Sequence, residues 1–327
     1  MSLKRTVAVI GAGLAGLSCA RVLQDAGVQV TVFDKSRRSG GRMSTRRGDG
    51  WQCDHGAQYF TARDARFQAE VERWQRAGVI SLWQPRLHVL SGRDQHQPDA
   101  TLQRFVGTPR MSAVPAFMAS GLKTSMQAAL QQLQHGPSGW QLRSAEQGWL
   151  EQHFDAVVLA LPAPQAVPLL QDLLPQLAQL ASATVMRGCW ALMLQFAAPV
   201  LLPFDAAFVN AGPLRWLARD NSKPGRPGGE SWLLHATAEW SEAHLEHDHA
   251  EVAALLQQAF AELGGPPAGS WSLHRWRYAD TASARTEGYG WDATVRAGLC
   301  GDWLNGGKVE GAWLSGRLLA ERIVQDL

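Results

Sequence analysis

The chain opens on an apolar run, Thr6-Val7-Ala8-Val9-Ile10. It is uncharged and rich in β-branched residues, the pattern of a strand buried on both faces. A helical period over residues 14–26 follows and stops at Gly27. A second apolar run, Val28-Gln29-Val30-Thr31-Val32-Phe33, closes on Asp34. Strand, helix and strand in that order predict a βαβ unit and a parallel sheet. Phe67, Val71 and Trp74 recur at helical spacing and predict a helix over 63–78. Residues 79–106 read as short strands and turns. A helix over 112–120 follows Pro109. Residues 122–140 mix a strand, a short helical or turn segment and a hairpin ending at Gly136-Pro137-Ser138-Gly139. Residues 154–161 are another buried strand, stopped by Pro162, and 164–182 a Leu-rich helix. Antiparallel strands are expected over 185–240, with the Pro- and Gly-rich stretch 221–229 as a surface excursion. A helix over 242–263, strands near 271–278 and 298–300, and a last helix over 311–325 complete the pattern.

Nucleotide-type elements thus stand at both ends and in the middle. The expected division is a discontinuous first domain of residues 1–62, 105–163 and 285–327, with 63–104 and 164–284 forming a second. The 327 residues suit two domains. With 46% hydrophobic and 18% charged residues, disorder is excluded. A net charge of +2 argues against nucleic acid or an anionic membrane as partner. The closest approach to a membrane span, residues 190–204, carries Gln195, Pro199 and Pro203. Cys19, Cys53, Cys189 and Cys300 form no CxxC pair and no metal-ligand spacing, which fits a reducing cytoplasm. Lys4-Arg5, the apolar stretch 7–17 and Ser18-Cys19-Ala20 have the outline of a signal peptide. Gly11, Gly13 and Gly16 give that stretch a better explanation.

Gly11-Ala12-Gly13-Leu14-Ala15-Gly16 follows a strand and opens a helix, the dinucleotide-binding fingerprint. Gly11 allows the tight turn, Gly13 lets backbone approach a pyrophosphate, and Gly16 lets helix pack on strand. The helix N-terminus offers free N–H groups to phosphate. Asp34, 18 residues after Gly16, can accept ribose hydroxyls. Gly40-Gly41-Arg42-Met43-Ser44-Thr45 comes next, and Arg42 offers a fork of donors to phosphate.

This GG-R element trailing the acid resembles the flavin-dependent amine oxidase superfamily. So does Gly301-Asp302 ahead of Gly311-Ala312-Trp313-Leu314-Ser315-Gly316-Arg317. Leu159-Ala160-Leu161-Pro162 departs from the superfamily's late strand. Asp54-His55-Gly56-Ala57-Gln58-Tyr59-Phe60 and Trp276-Arg277-Tyr278-Ala279 are most similar to the renalase family. The resemblance implies an α/β fold: a Rossmann-like FAD-binding domain of the p-hydroxybenzoate hydroxylase and amine oxidase type, with an inserted α+β substrate domain. It implies non-covalent FAD contacting Gly11, Ala12, Gly13, Leu14, Ala15, Gly16, Asp34, Lys35, Gly41, Arg42, Met43, Ser44, Gly56, Ala57, Gln58, Tyr59, Leu130, Asp302, Gly311 and Ala312. It further implies hydride transfer from 2- or 6-dihydro-NAD(P) to the flavin and electrons passed to O2, giving H2O2. The partners are then a small dinucleotide and O2. A flavin amine oxidase, or a flavin-binding module without catalysis, are the competing readings.

Hydride loss from a dihydropyridine leaves an aromatic cation and no proton to remove, so no catalytic acid or base is nominated. His55 reads as a loop histidine turned away from the ring. The substrate candidates are Tyr59, His235, Trp276 and Trp291, drawn from a Trp-rich chain in which most indoles fill the core. His244, His247 and His249 stand among acids and read as a solvated helix start, not a metal site. Cys300 reads as a buried strand cysteine.

Overall fold

The first strand, β1 (Thr6–Ile10), has no charged side chain and its Val7, Ala8 and Val9 are fully buried. It takes the centre of a six-stranded sheet, ordered Gly290–Asp292, Ala297–Leu299, Ala156–Leu159, β1, β2 (Gln29–Asp34), Lys123–Met126. All neighbours pair in parallel except Gly290–Asp292, an antiparallel edge. Ile10 lies beside both Phe33 and Leu159, and Leu159 beside Leu299. The strands therefore end level, and open α/β sheets bind ligands beyond that edge. The computed structural model describes residues 5–91, 94–96, 102–283 and 285–327. Lys4, and residues 92–93 and 97–101 of the expected strand-and-turn region, lie outside the described residues.

Helix α1 (Leu14–Asp25) and the C-terminal helix Lys308–Asp326 share one face of the sheet. They meet at backbone distance, since a Cβ on Gly316 would stand 1.9 Å from the Ala15 carbonyl oxygen. The other face carries a three-stranded antiparallel sheet, Leu130–Gly136, Gly139–Ser144 and Gly148–Phe154. Two helices, Ala163–Leu170 and Pro175–Ser182, join it there. These helices correct the expectation twice. The single helix over 164–182 is broken, because Pro175 cannot continue a helix but suits the first turn of a new one. And Ala166, Leu170 and Ala181 pack with Ile10, Val157 and Leu299, so this stretch covers the nucleotide sheet instead of starting the second domain. Helix Ala65–Arg76, also assigned to the second domain, buries Phe67 against Trp313.

The second sheet has seven strands, in the order Ser270–Thr281, Met186–Phe196, Glu230–Ala236, Leu214–Arg219, Ala206–Val209, Leu87–Ser91, Asp94–His96. It is antiparallel as expected, except that Ala206–Val209 runs parallel to Leu87–Ser91. Strand Met186–Phe196 is buried on both faces and sorts its side chains by the two-residue period of a strand. Leu192 and Leu194 join the core under helix His249–Glu262, while Ala191 and Met193 face Cys53 and Trp276. Trp190 and Trp232 are core residues of the first set. The expected helix over 242–263 is two, Ala238–Ala243 and His249–Glu262, and Asp248 caps the second through the N–H groups of Ala250 and Glu251. His244 ends the first helix and stacks on Trp240 with ring centroids 4.0 Å apart. All four cysteines are buried and free. No helix of the described residues is long and apolar enough to cross a membrane.

Candidate active site

A single cavity of about 2740 Å³ runs along the C-terminal edge of the parallel sheet and on between the two sheets. That is several times the roughly 300–1,000 Å³ of an ordinary small-molecule site. Gly11, Gly13, Leu14, Ala15, Asp34 and Lys35 wall one end. Gly11 has φ +114, and a Cβ there would meet the Ala160 carbonyl oxygen at 2.4 Å. A Cβ on Gly16 would stand 2.0 Å from the Gly11 oxygen, so Gly16 serves the close packing of helix on strand. Around Gly13 the space is open, with nothing within 4 Å of a built Cβ. A ligand backbone can therefore lie directly on this residue. The first turn of α1 has no side-chain cap, which leaves its N–H groups to an anion. Ala12 is one layer below and donates its N–H to Asp34 Oδ2 at 2.7 Å, while Ser36 N–H holds Oδ1 at 2.7 Å. The carboxylate is thereby fixed at the cavity wall. A cradle of this shape and donor set fits the adenosine and pyrophosphate of FAD.

Gly41, Arg42, Met43, Ser44, Leu130, Asp302 and Ala312 continue the wall. Arg42 forms a bidentate pair with Asp302, at 2.9 and 2.5 Å, and donates to the Ala279 carbonyl at 3.3 Å. Arg42, the expected phosphate ligand, and Asp302, another expected FAD contact, are thus joined to each other. Gly311 lies behind the wall, where a Cβ would meet the Asn305 oxygen at 2.0 Å. The C-terminal helix begins at Lys308, a turn earlier than expected, and also lacks a side-chain cap.

Gly56, Ala57, His55, His235, His274 and Trp276 form the other end of the cavity. His55 is among the lining residues, its imidazole stacked on Trp276 at 5.1 Å and edge-on to His274 at 4.8 Å. Its carbonyl oxygen accepts from Trp276 Nε1 at 2.8 Å and His235 Nε2 at 3.0 Å. Because a carbonyl only accepts, His235 carries its proton on Nε2. Burial, reinforced by His274 and Arg46, pushes the His55 imidazole down to about 3. Burial and Arg215 push His235 down to about 3, and burial and Arg46 push His274 to about 4. All three are neutral at physiological pH. Cys189 also lines this end, its thiol pushed up to about 11 by burial.

Gln58, Tyr59 and Trp291 do not line the cavity. Gln58 donates to the carbonyls of Asp54 and Gly56, at 2.6 and 3.1 Å, and its oxygen accepts from Lys223 Nζ at 3.2 Å. Tyr59 packs its ring among Trp83, Trp216 and the Arg104 guanidinium. Trp291 sits on the edge strand, its N–H held by Asp326 at 2.6 Å. Beneath Gln58 lies a cluster that the sequence reading missed. Asp54, Asp220, Lys223 and Arg226 have side chains no more than 1% exposed. Lys223 Nζ is 2.8 Å from Asp220 and 3.3 Å from Asp54, and Arg226 is 2.5 Å from Asp54. Burial would raise the Asp54 carboxyl, but Lys223 and Arg226 outweigh it and the net direction is down. Asp220 goes up, from burial and the neighbouring Asp54 charge. Two charged members of the expected surface excursion thus point inward, paired charge for charge.

Comparison with known proteins agrees with this architecture. The family model described as flavin containing amine oxidoreductase matches residues 77–324, and that of an NAD(P)-binding Rossmann-like domain matches 9–73. The chain is similar in fold to cyclohexylamine oxidase from Brevibacterium oxydans IH-35A, with a TM-score of 0.75, 14% identity and 99% of each chain covered. It is similar also to a putrescine oxidase solved with putrescine, at 0.73, 13% identity and 99% coverage of both. Among curated proteins, the bifunctional tRNA 5-methylaminomethyl-2-thiouridine biosynthesis protein MnmC of Magnetococcus marinus is 29% identical over 205 residues, 48% of this chain and 30% of that protein. An L-amino-acid oxidase of Siganus canaliculatus is 49% identical over 53 residues, 16% of this chain and 10% of its own length. The chain thus spans less than a third of the curated relatives it matches.

Proposed function

Because this chain belongs to the family of flavin containing amine oxidoreductases, we propose that it is a renalase-type FAD oxidase of the 2- or 6-dihydro isomers of NAD(P)H, yielding NAD(P)+ and H2O2. FAD is the cofactor of the family, and when bound it supplies a two-electron acceptor for a substrate hydride and a path for those electrons to O2. On this reading Gly13, the N-terminus of α1 and Asp34 hold the adenosine diphosphate. Arg42, Asp302, Gly56, Ala57 and Ala312 hold the rest.

The observation that carries the reading is the set of aromatic rings, with neutral imidazoles, at the far end of the cavity. His55, His235, His274 and Trp276 present rings there, and no imidazole among them is basic enough to remove a proton at neutral pH. Asp280, the carboxylate at this end, is 3.7 Å from Arg215 and 4.0 Å from Arg187. A dihydropyridine asks for what this end offers. It loses a hydride and keeps its protons, so the walls need only stack, orient and exclude water. An amine substrate arrives as a cation and must shed a proton first.

The test is anaerobic stopped-flow reduction of the flavin by 2-, 4- and 6-dihydro-NAD(P)H and by a panel of simple amines and amino acids. Rapid bleaching by a 2- or 6-isomer supports the proposal. Bleaching by amines alone, or by nothing, overturns it.

A further inference from the structure

Arg215 lies on the cavity wall at its far end, with His235. It sits where strand Leu214–Arg219 slips register against Glu230–Ala236, between Leu214 and Trp216. Such bulges re-aim a side chain, and they cluster beside active sites. The guanidinium is under-used. Its ion partner, Asp280, stands 3.7 Å away, beyond hydrogen-bond reach, and is shared with Arg187. Its other polar neighbour is the Cys189 thiol, and among the described residues no protein oxygen accepts a hydrogen bond from the Arg215 side chain. Arg219, four residues on in the same strand, shows the alternative: it is half-buried and 3.2 Å from Glu230. Arg46, another cation acting on this end, also has no ion pair among the described residues, whereas Arg275 and Arg277 pair with Glu246.

We propose that Arg215 is a specificity-determining anchor for a phosphate group of the substrate, so that the far end of the cavity selects a dinucleotide over a bare dihydropyridine and repels protonated amines. The inference rests on the dihydronicotinamide reading above and deepens it. A guanidinium matches phosphate with two parallel donors, and at a partly exposed position the attraction is open to screening by salt. The same charge is a penalty for any cationic substrate.

The experiment uses the FAD-loaded protein. Flavin reduction is compared for 6-dihydro-NAD and for the corresponding dihydronicotinamide riboside, which lacks phosphate, at low and high salt. The wild-type protein should prefer the dinucleotide by about tenfold or more in kcat/KM, and the preference should shrink with salt. Arg215→Gln should lose most of that preference through a raised KM for the dinucleotide, and Arg215→Lys should restore part of it. Inorganic pyrophosphate should compete with the dinucleotide in the wild type and much less in Arg215→Gln. Equal use of riboside and dinucleotide by the wild-type protein, or equal slowing of both in Arg215→Gln, overturns the anchor while leaving the dihydronicotinamide reading intact. Failure of every dihydronicotinamide to reduce the flavin overturns both.

Discussion

One carbonyl oxygen, that of His55, accepts from both Trp276 and His235, so two walls of the far end hang on a single backbone atom. The rings around it are held neutral, which has two consequences for pH. The reduction rate should be flat between about pH 6 and 9, because His55, His235 and His274 finish titrating near 3 to 4. A step near pH 7 that vanishes in His55→Ala would contradict this. Stability behaves differently. With folded values below the ordinary 6.5, the unfolded chain binds more protons in the interval. The stabilising contribution is complete above about pH 6.5 and is lost as pH falls toward 3, which urea midpoints measured across that range will register. Under the same segment, Lys223 places its three protons on Asp54, Asp220 and Gln58. Removing one partner of a buried ion pair costs roughly 3–5 kcal/mol. Lys223→Met should therefore lose that much in urea unfolding, and Lys223→Met with Asp220→Asn should recover part of it. Neither this burial nor the cavity position of Arg215 was legible in the sequence. A Pro- and Gly-rich loop signals backbone shape, not where a lysine points, and a β-bulge has no residue code. Tyr59 and Trp291 misled for a related reason: an aromatic side chain fills core or pocket equally well, and only packing decides.

At the level of elements, β1, β2 and α1 were legible because their glycines answer separate steric demands. That separation predicts separate outcomes. Gly16→Ala forces a methyl onto the Gly11 carbonyl and should lower the melting temperature of the protein stripped of cofactor. Gly13→Ala meets open space and should melt like the parent, yet bind FAD at least about tenfold more weakly, since its methyl occupies the ligand's side of the turn. Differential scanning fluorimetry and flavin titration separate the two, and equal behaviour would refute the assignment of roles. The misread helices were misread at their breaks, although Pro175 and Asp248 carried the signals of a new first turn and a cap. A continuous Leu or Ala period simply outweighed them.

Across the whole molecule, the two sheets enclose one cavity, and no cysteine lines its cofactor end. FAD should therefore leave with the supernatant when the protein is precipitated with trichloroacetic acid. Flavin in the pellet would point to covalent attachment and reopen Cys300, one residue from the Gly301 wall.

The strand order has a further consequence for how the protein is made. β1 is flanked by Ala156–Leu159, and that strand by Ala297–Leu299; Arg42 finds its partner 260 residues downstream. A chain leaving the ribosome N-terminus first therefore exposes its glycine fingerprint long before it owns the strands and the carboxylate that finish the cradle. Pairings this distant are slow to close and leave sticky edges unguarded in the meantime. Holding the cofactor is thus the last event of biogenesis, and yellow colour in a growing culture reports completed chains alone.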